Sequence, residues 1–232
     1  MSEDKIYDVS ENIAERAHIN AKRYREMYDR SIDHSDEFWS EQAEEFLSWS
    51  TKWDKVQDWD YNAANINWFV GGKLNVSHNC LDRHLETRGD QVAIIWEGDD
   101  PEEDRKITYK ELHEEVCRFA NALKARGVKK GDRVCLYLPM IVEASVAMLA
   151  CTRIGAIHSI VFGGFSPDAL RDRINDADCK VVITSDYSLR GKKQIPLKAN
   201  ADKGLADCPN VHTCIVVKRT GGDVEWNDTR DV

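Results

Sequence analysis

Several familiar signatures are missing from this 232-residue sequence, and each absence narrows what the chain does. It contains no G-x-x-x-x-G-K-[ST] and no G-x-G-x-x-G, so neither a Walker-type phosphate loop nor a dinucleotide fingerprint marks a nucleotide site. It contains no G-x-S-x-G elbow, and His158 lies within an apolar run. A hydrolase built on His158, Ser159 and Ser166 is therefore disfavoured, and His158 is expected to be a core histidine with its hydrogen bonds satisfied. No C-x-x-C occurs among Cys80, Cys117, Cys135, Cys151, Cys179, Cys208 and Cys214, and seven is an odd number. Cys117, Cys135 and Cys151 sit in apolar, regular segments, where free thiols behave as small hydrophobes. A reducing cytoplasm is the expected setting. The polar start MSEDKIYDVSEN has none of the features of a secretory signal. No apolar run approaches the roughly 20 residues needed to span a bilayer.

Positive charge is also scarce. The 32 Lys and Arg against 41 Asp and Glu leave a net charge of −9, which argues against generic binding to nucleic acid or an anionic membrane. The exception is local: between Leu189 and Lys203, Arg190, Lys192, Lys193, Lys198 and Lys203 face a single acid, Asp202. No metal site is expected. His78, Cys80 and His84 are three candidate ligands where a structural zinc site takes four, and the two histidines would not share a helical face. There is no internal repeat and no low-complexity tract.

What is present divides at about residue 88. Hydrophobic content of 42% and charged content of 31% describe an ordinary globular chain of one or two domains. In the first part, Ser10 is expected to cap a helix with Ile13, Ala17, Ala21, Tyr24 and Tyr28 on its apolar face. Ser35 is expected to cap a second helix carrying Phe38, Trp39 and Phe46. An irregular, aromatic-rich stretch follows. Trp39, Trp49, Trp53, Trp59 and Trp68 are read as packing an extension onto a larger body rather than as a carbohydrate site.

From Val92 the pattern becomes α/β. Val92–Glu97, Arg133–Leu138, Ala156–Phe162, Cys179–Thr184 and Val211–Lys218 read as strands. Thr108-Tyr109-Lys110-Glu111 is a capping box, with Ile107 and Leu112 as its hydrophobic staple. The segment Ile141 to Arg153 is apolar on nearly all sides, as a buried helix is. Ser166 and Pro167 open another helix at its N-cap and first position. The expected fold is α/β: part of a doubly wound, mainly parallel sheet flanked by helices, with a Trp-rich helical N-terminal extension.

Two local motifs draw attention. Phe162, Gly163 and Gly164 end a strand just before a helix N-terminus, where open α/β sheets bind ligands. Read alone, the segment is either a ligand site or a tight strand-to-helix turn. Arg190, Gly191, Lys192 and Lys193 form a basic turn after the next strand. Such a turn either holds a phosphate, through bidentate arginine and point-charge lysines, or is simply solvated.

Longer stretches add weight to the ligand readings. WFVGG (68–72), LNVSHNCLDRH (74–84), ITYKE (107–111), GDR (131–133), AMLACTRIGAIHSIVFGGFSP (147–167) and LRGKKQIPLK (189–198) occur in order over nearly the whole chain. Together they resemble the amino-terminal part of the acetyl-coenzyme A synthetases, the AMP-forming acetate–CoA ligases of the adenylate-forming acyl-CoA synthetase superfamily. The resemblance implies residues 1–88 as the family's N-terminal extension and residues 89–232 as the first, truncated part of its large AMP-binding domain. It implies that ATP and acetate give acetyl-adenylate and diphosphate, with Mg²⁺ on the phosphates, and that CoA thiolate then gives acetyl-CoA and AMP. It also implies that Arg190, Gly191, Lys192 and Lys193 meet the CoA 3′-phosphate while Phe162, Gly163 and Gly164 lie at the adenine. Lys192 departs from the family pattern, which has a second glycine there.

The family's ATP phosphate loop, acetate pocket and adenylation lysine match nothing here. The chain is accordingly expected to be a fragment, with the remainder of the same polypeptide as its partner, no catalytic residue of its own and little activity alone. Two alternatives stand beside this reading: a non-catalytic CoA- or phosphate-binding module, and an interaction domain whose tryptophans form a partner surface.

Overall fold

The computed structural model describes residues 7–191 and 193–232. It divides into two compact units, one ending at Lys73 and the other beginning at Leu74.

In the first unit the helix expected from Ser10 through Tyr28 is two helices, α1 (Glu11–Arg16) and α2 (Ala21–Asp33). Ala17 and Asn20 are extended, and the Asn20 side chain accepts from the Arg23 amide at 3.0 Å, so α2 has a cap of its own. Helix α3 (Ser35–Phe46) starts one residue earlier than expected. His34 holds the N-cap position and Ser35 is the first helical residue. The stretch read as irregular is an antiparallel hairpin, β1 (Lys55–Asp60) with β2 (Asn65–Val70). Trp49, Trp53 and Phe69 pack at 4.9–5.4 Å between ring centroids, Trp53 edge-on to both others and Trp49 tilted on Phe69, and with Ala43 and Val56 they form the small core of this unit. Trp39, Trp59 and Trp68 are exposed.

The second unit opens with α4 (Val76–Cys80), a 3₁₀ turn at Asp82–His84, and α5 (Leu85–Arg88). The resemblance implies that these residues belong to the extension. Here they pack on the α/β body: Asn75 Nδ2 donates to the carbonyls of Thr152 and Arg153 (3.1 and 3.2 Å), and Arg153 grips Asp82 through two bonds (2.7 and 2.8 Å). Strand β3 (Val92–Glu97) pairs with β4 (Asp104–Thr108), a strand the sequence reading did not include, in a separate antiparallel ribbon. The expected capping box opens α6 (Tyr109–Ala125): the Glu111 amide donates to Thr108 Oγ1 at 3.2 Å, and the Thr108 amide donates to Glu111 Oε2 at 2.9 Å.

Then come β5 (Arg133–Tyr137), α7 (Val142–Arg153), β6 (Ile157–Ile160), α8 (Pro167–Asp176) and β7 (Val181–Ser185). A short hairpin, β8 (Ser188–Arg190) with β9 (Lys193–Ile195), leads to α9 (Leu197–Leu205) and β10 (Thr213–Val217). The four long-range strands form one all-parallel sheet in the order β10-β7-β5-β6.

Side-chain alternation covers both faces of this sheet. Val134, Leu136, Val181 and Ile183 share one core with Val116 and Leu123 of α6 and Ala147 and Cys151 of α7. Cys135, Tyr137, Val182 and Cys214 share the other with Leu170 and Ile174 of α8 and Leu197 and Ala201 of α9. Because β6 and β7 flank β5 on opposite sides, the chain leaves β5 in one direction and returns past it in the other. This is the topological switch point of the sheet.

Candidate ligand site at the carboxyl edge of the sheet

All four parallel strands end at the same edge, so the segments that follow them converge. Leu138–Ile141 after β5, Phe162–Gly164 after β6, Ser188–Arg190 after β7 and Arg219 after β10 line a cleft of about 310 Å³, joined by Trp96 and Asp99 from the β3–β4 ribbon. This is where open α/β sheets place ligands.

The FGG segment supplies an aromatic face and a close backbone. Phe162 is 66% exposed and meets Phe165 edge-on at 6.0 Å. Phe165 is held in turn: its carbonyl accepts from the Tyr137 hydroxyl at 2.8 Å, and the Arg173 guanidinium lies 4.6 Å from its ring. A Cβ on Gly164 would come within 2.5 Å of the Phe162 ring, so glycine there lets the ring keep its place at the cleft. Ser166 caps α8 by accepting from the Ala169 amide at 3.3 Å, with Pro167 at the first helical position, as the sequence pattern requires.

The basic turn is the tip of the β8–β9 hairpin, not an open loop. Arg190 is opposite Lys193, and Gly191 has φ +57°, as two-residue hairpin turns demand. Lys192 lies outside the described residues. The Arg190 and Lys193 side chains are exposed and have no hydrogen bond or ion pair among the described residues, which leaves both cations available to an anion. The cleft lining includes Arg190, Phe162, Gly163 and Gly164, but neither Gly191 nor Lys193.

One part of the positive segment is not available. Lys198 is buried, with Nζ 2.8 Å from both oxygens of Asp202, 2.8 Å from Asp231 Oδ2 and 2.9 Å from the Glu225 carbonyl. Its charge is consumed internally, a fate the residue count could not reveal.

Four contributors were not anticipated from sequence. Arg219 lies over the Trp96 ring at 5.1 Å and pairs with Glu103, and the Trp96 indole donates to the Met140 carbonyl at 2.8 Å. Asp99 accepts from the Gly191 amide. Asp186, just past β7, is buried and accepts from the amides of Tyr187 (2.7 Å), Arg219 (2.9 Å), Thr220 (2.9 Å) and Gly221 (2.7 Å). Burial alone would raise its pKa, but these donors outweigh burial and hold it below the usual carboxylate value. The only sequence sign of Asp186 was an acid directly at a strand end.

The remaining candidates fall outside the cleft. His158 is partly buried on β6, and its Nδ1 is enclosed with no partner among the described residues, so the expectation of a satisfied core histidine is not met. His84 meets the Tyr109 ring at a tilt, with centroids 5.3 Å apart. All seven cysteines are free. Burial pushes the Cys179 thiol up to about 11 and those of Cys151 and Cys214 to about 12, which keeps them protonated and inert. Among the described residues no three His, Cys, Asp or Glu side chains converge on a metal site, and no helix is long and apolar enough to cross a membrane.

An aromatic face, close-approach glycines and unpaired cations at one sheet edge suit a ligand with a flat ring and a phosphate. Residues 81–231 match the model of the AMP-binding enzyme family. The chain belongs to the AMP-binding enzyme family. Residues 24–80 match a second model, the acetyl-coenzyme A synthetase N-terminus. Among proteins similar to this member of the family is the acetyl-coenzyme A synthetase of Halorhodospira halophila, 66% identical over 232 residues, covering 100% of this chain and 36% of that protein. Acetyl-coenzyme A synthetase 2 of Pseudomonas aeruginosa is 56% identical with the same coverage. A solved acetoacetyl-CoA synthetase from Streptomyces lividans shares the fold at a TM-score of 0.81 and 28% identity, over 94% of this chain and 34% of that one. The chain thus spans about 36% of the length of the curated relatives it matches.

Proposed function

We propose that this chain carries the site for the adenosine 3′-phosphate end of coenzyme A in an AMP-forming acetate–CoA ligase. The observation that carries the reading is the convergence of Phe162, Gly163, Gly164 and Arg190 on one cleft at the switch-point edge of the sheet. Phe162 offers its ring to the adenine. Gly163 and Gly164 let the base approach the backbone. Arg190 takes the 3′-phosphate, with Lys193 close by across the hairpin. Gly191 shapes the turn, and Lys192 is assigned to the same group as a further cation.

The reaction belongs to the whole enzyme: ATP and acetate yield acetyl-adenylate and diphosphate, and the CoA thiolate then displaces AMP to give acetyl-CoA. This chain's part is to bind and orient CoA, and no step of the chemistry is assigned to its side chains. Mg²⁺ would screen the ATP phosphates in the whole enzyme, and among the described residues of this chain no cluster of His, Cys, Asp or Glu fits the ion. The reading includes the cytoplasm as the setting, supported by the seven free cysteines, and takes the rest of the longer polypeptide as the chain's partner.

The test uses Arg190→Ala in the whole enzyme. A lost charge-assisted contact predicts an apparent KM for CoA raised roughly tenfold to a hundredfold, with acetate-dependent ATP–diphosphate exchange unchanged. Loss of that exchange would place Arg190 in the adenylation step and overturn the assignment.

A further inference from the structure

The β8–β9 hairpin that presents Arg190 and Lys193 has three residues in each strand and, among the described residues, pairs with no other strand. A two-stranded ribbon of that size is marginal by itself in water, so the position of its tip needs an anchor from outside. The turn of the β3–β4 ribbon provides one. That turn orders itself through other groups: the Gly98 amide donates to the Glu103 carbonyl at 2.7 Å, the Glu103 amide to the Asp100 carbonyl at 2.9 Å, and the Glu102 amide to Asp100 Oδ1 at 3.0 Å. The Asp99 carboxylate takes no part in this. It reaches across to accept the N–H of Gly191 at the apex of the basic turn. Among the described residues no other side chain outside the hairpin hydrogen-bonds that turn. The ribbon is itself tied to the far side of the cleft by Glu103 on Arg219 and by the Trp96 indole on the Met140 carbonyl.

We propose that Asp99 is the positioning residue of the basic turn. By holding the Gly191 amide it fixes where the Arg190 and Lys193 side chains emerge, and it leaves anion recognition to those side chains because the amide is already engaged. The acceptor is a carboxylate oxygen, a better acceptor than a neutral one. Asparagine at this position keeps an acceptor oxygen, whereas alanine removes it. The consequence for ligand rests on the reading of the cleft as the CoA 3′-phosphate site, but the consequence for the turn does not.

The experiment compares the wild-type chain with Asp99→Ala and Asp99→Asn. Hydrogen exchange of the Gly191 amide is followed by NMR, and binding of CoA and of dephospho-CoA is measured by calorimetry. Loss of the bond in Asp99→Ala is expected to speed Gly191 exchange about tenfold and weaken CoA binding about tenfold. Dephospho-CoA should change by less than about twofold, because it lacks the phosphate that the turn receives. Asp99→Asn should restore both exchange and CoA affinity towards wild type. Exchange at Gly191 that is unchanged in Asp99→Ala, or no better in Asp99→Asn than in Asp99→Ala, would overturn the proposal. Should the wild-type chain bind neither ligand while exchange responds as expected, the positioning role stands and the CoA reading alone falls.

Discussion

At the scale of single residues, Asp186 ties together two of the segments that border the cleft without lining it itself. It sits where β7 ends, and its carboxylate collects the backbone N–H groups of Tyr187 and of Arg219, Thr220 and Gly221. One side chain therefore fixes both the start of the basic hairpin and the loop that carries Arg219. Replacing it with asparagine turns one acceptor oxygen into a donor that faces other donors. This should cost about 2–4 kcal/mol, as expected for a buried ionic acceptor removed from its partners, and a urea titration at neutral pH measures it. The pH dependence follows from the depressed pKa. A carboxylate held below its ordinary value of 3.8 in the fold adds stability that is fully present above that value and lost as pH falls through the lower folded one. The asparagine variant should therefore lose less stability than wild type below pH 3.8. Strand-end glycines and clustered cations are local signals, so Phe162, Gly163, Gly164 and Arg190 could be singled out in the sequence, but those signals alone left a plain turn and a solvated loop open, and that the four line one cleft is visible only in the fold. Asp186 and Lys198 were not, because their partners lie across loops: residues 219–221 for one, Glu225 and Asp231 for the other.

At the scale of elements, local chemistry decides what sequence reveals. The starts of helices α6 and α8 could be read directly because Thr108 with Glu111, and Ser166 with Pro167, are self-contained start signals. The β1–β2 hairpin was missed because its strands, KVQDWD and NINWFV, mix polar and aromatic residues and are largely exposed, so no period stands out. The β8–β9 hairpin was missed because three-residue strands are too short to show alternation. Its turn depends on Gly191. A Cβ at this glycine would meet nothing within 4 Å, so the requirement is conformational, set by φ +57°. Gly191→Ala should thus weaken the hairpin by about 1–2 kcal/mol, the cost of a left-handed alanine. Gly191→Asn should cost less, since asparagine tolerates that region. Exchange rates of the hairpin amides measure both. A global melting temperature should move less than the local exchange rates, because Gly191 at the tip lies outside the two main cores and only Ile195 of the hairpin packs against one of them.

At the scale of the whole molecule, the sheet order makes the site. With β6 and β7 on opposite sides of β5, the loops after all four strands open at the switch point, and segments far apart in sequence meet there. Strand and helix alternation made the parallel sheet legible, but strand order, and hence which loops meet, depends on pairings that no single segment encodes. The central claim is that this edge binds CoA through its 3′-phosphate, and calorimetry of the chain with CoA and with dephospho-CoA tests it most directly. The account predicts that CoA binds about tenfold or more tightly than dephospho-CoA, as one charge-assisted phosphate contact implies, and that this preference disappears in Arg190→Ala. Equal affinity for the two ligands, or a preference that survives in Arg190→Ala, would contradict it.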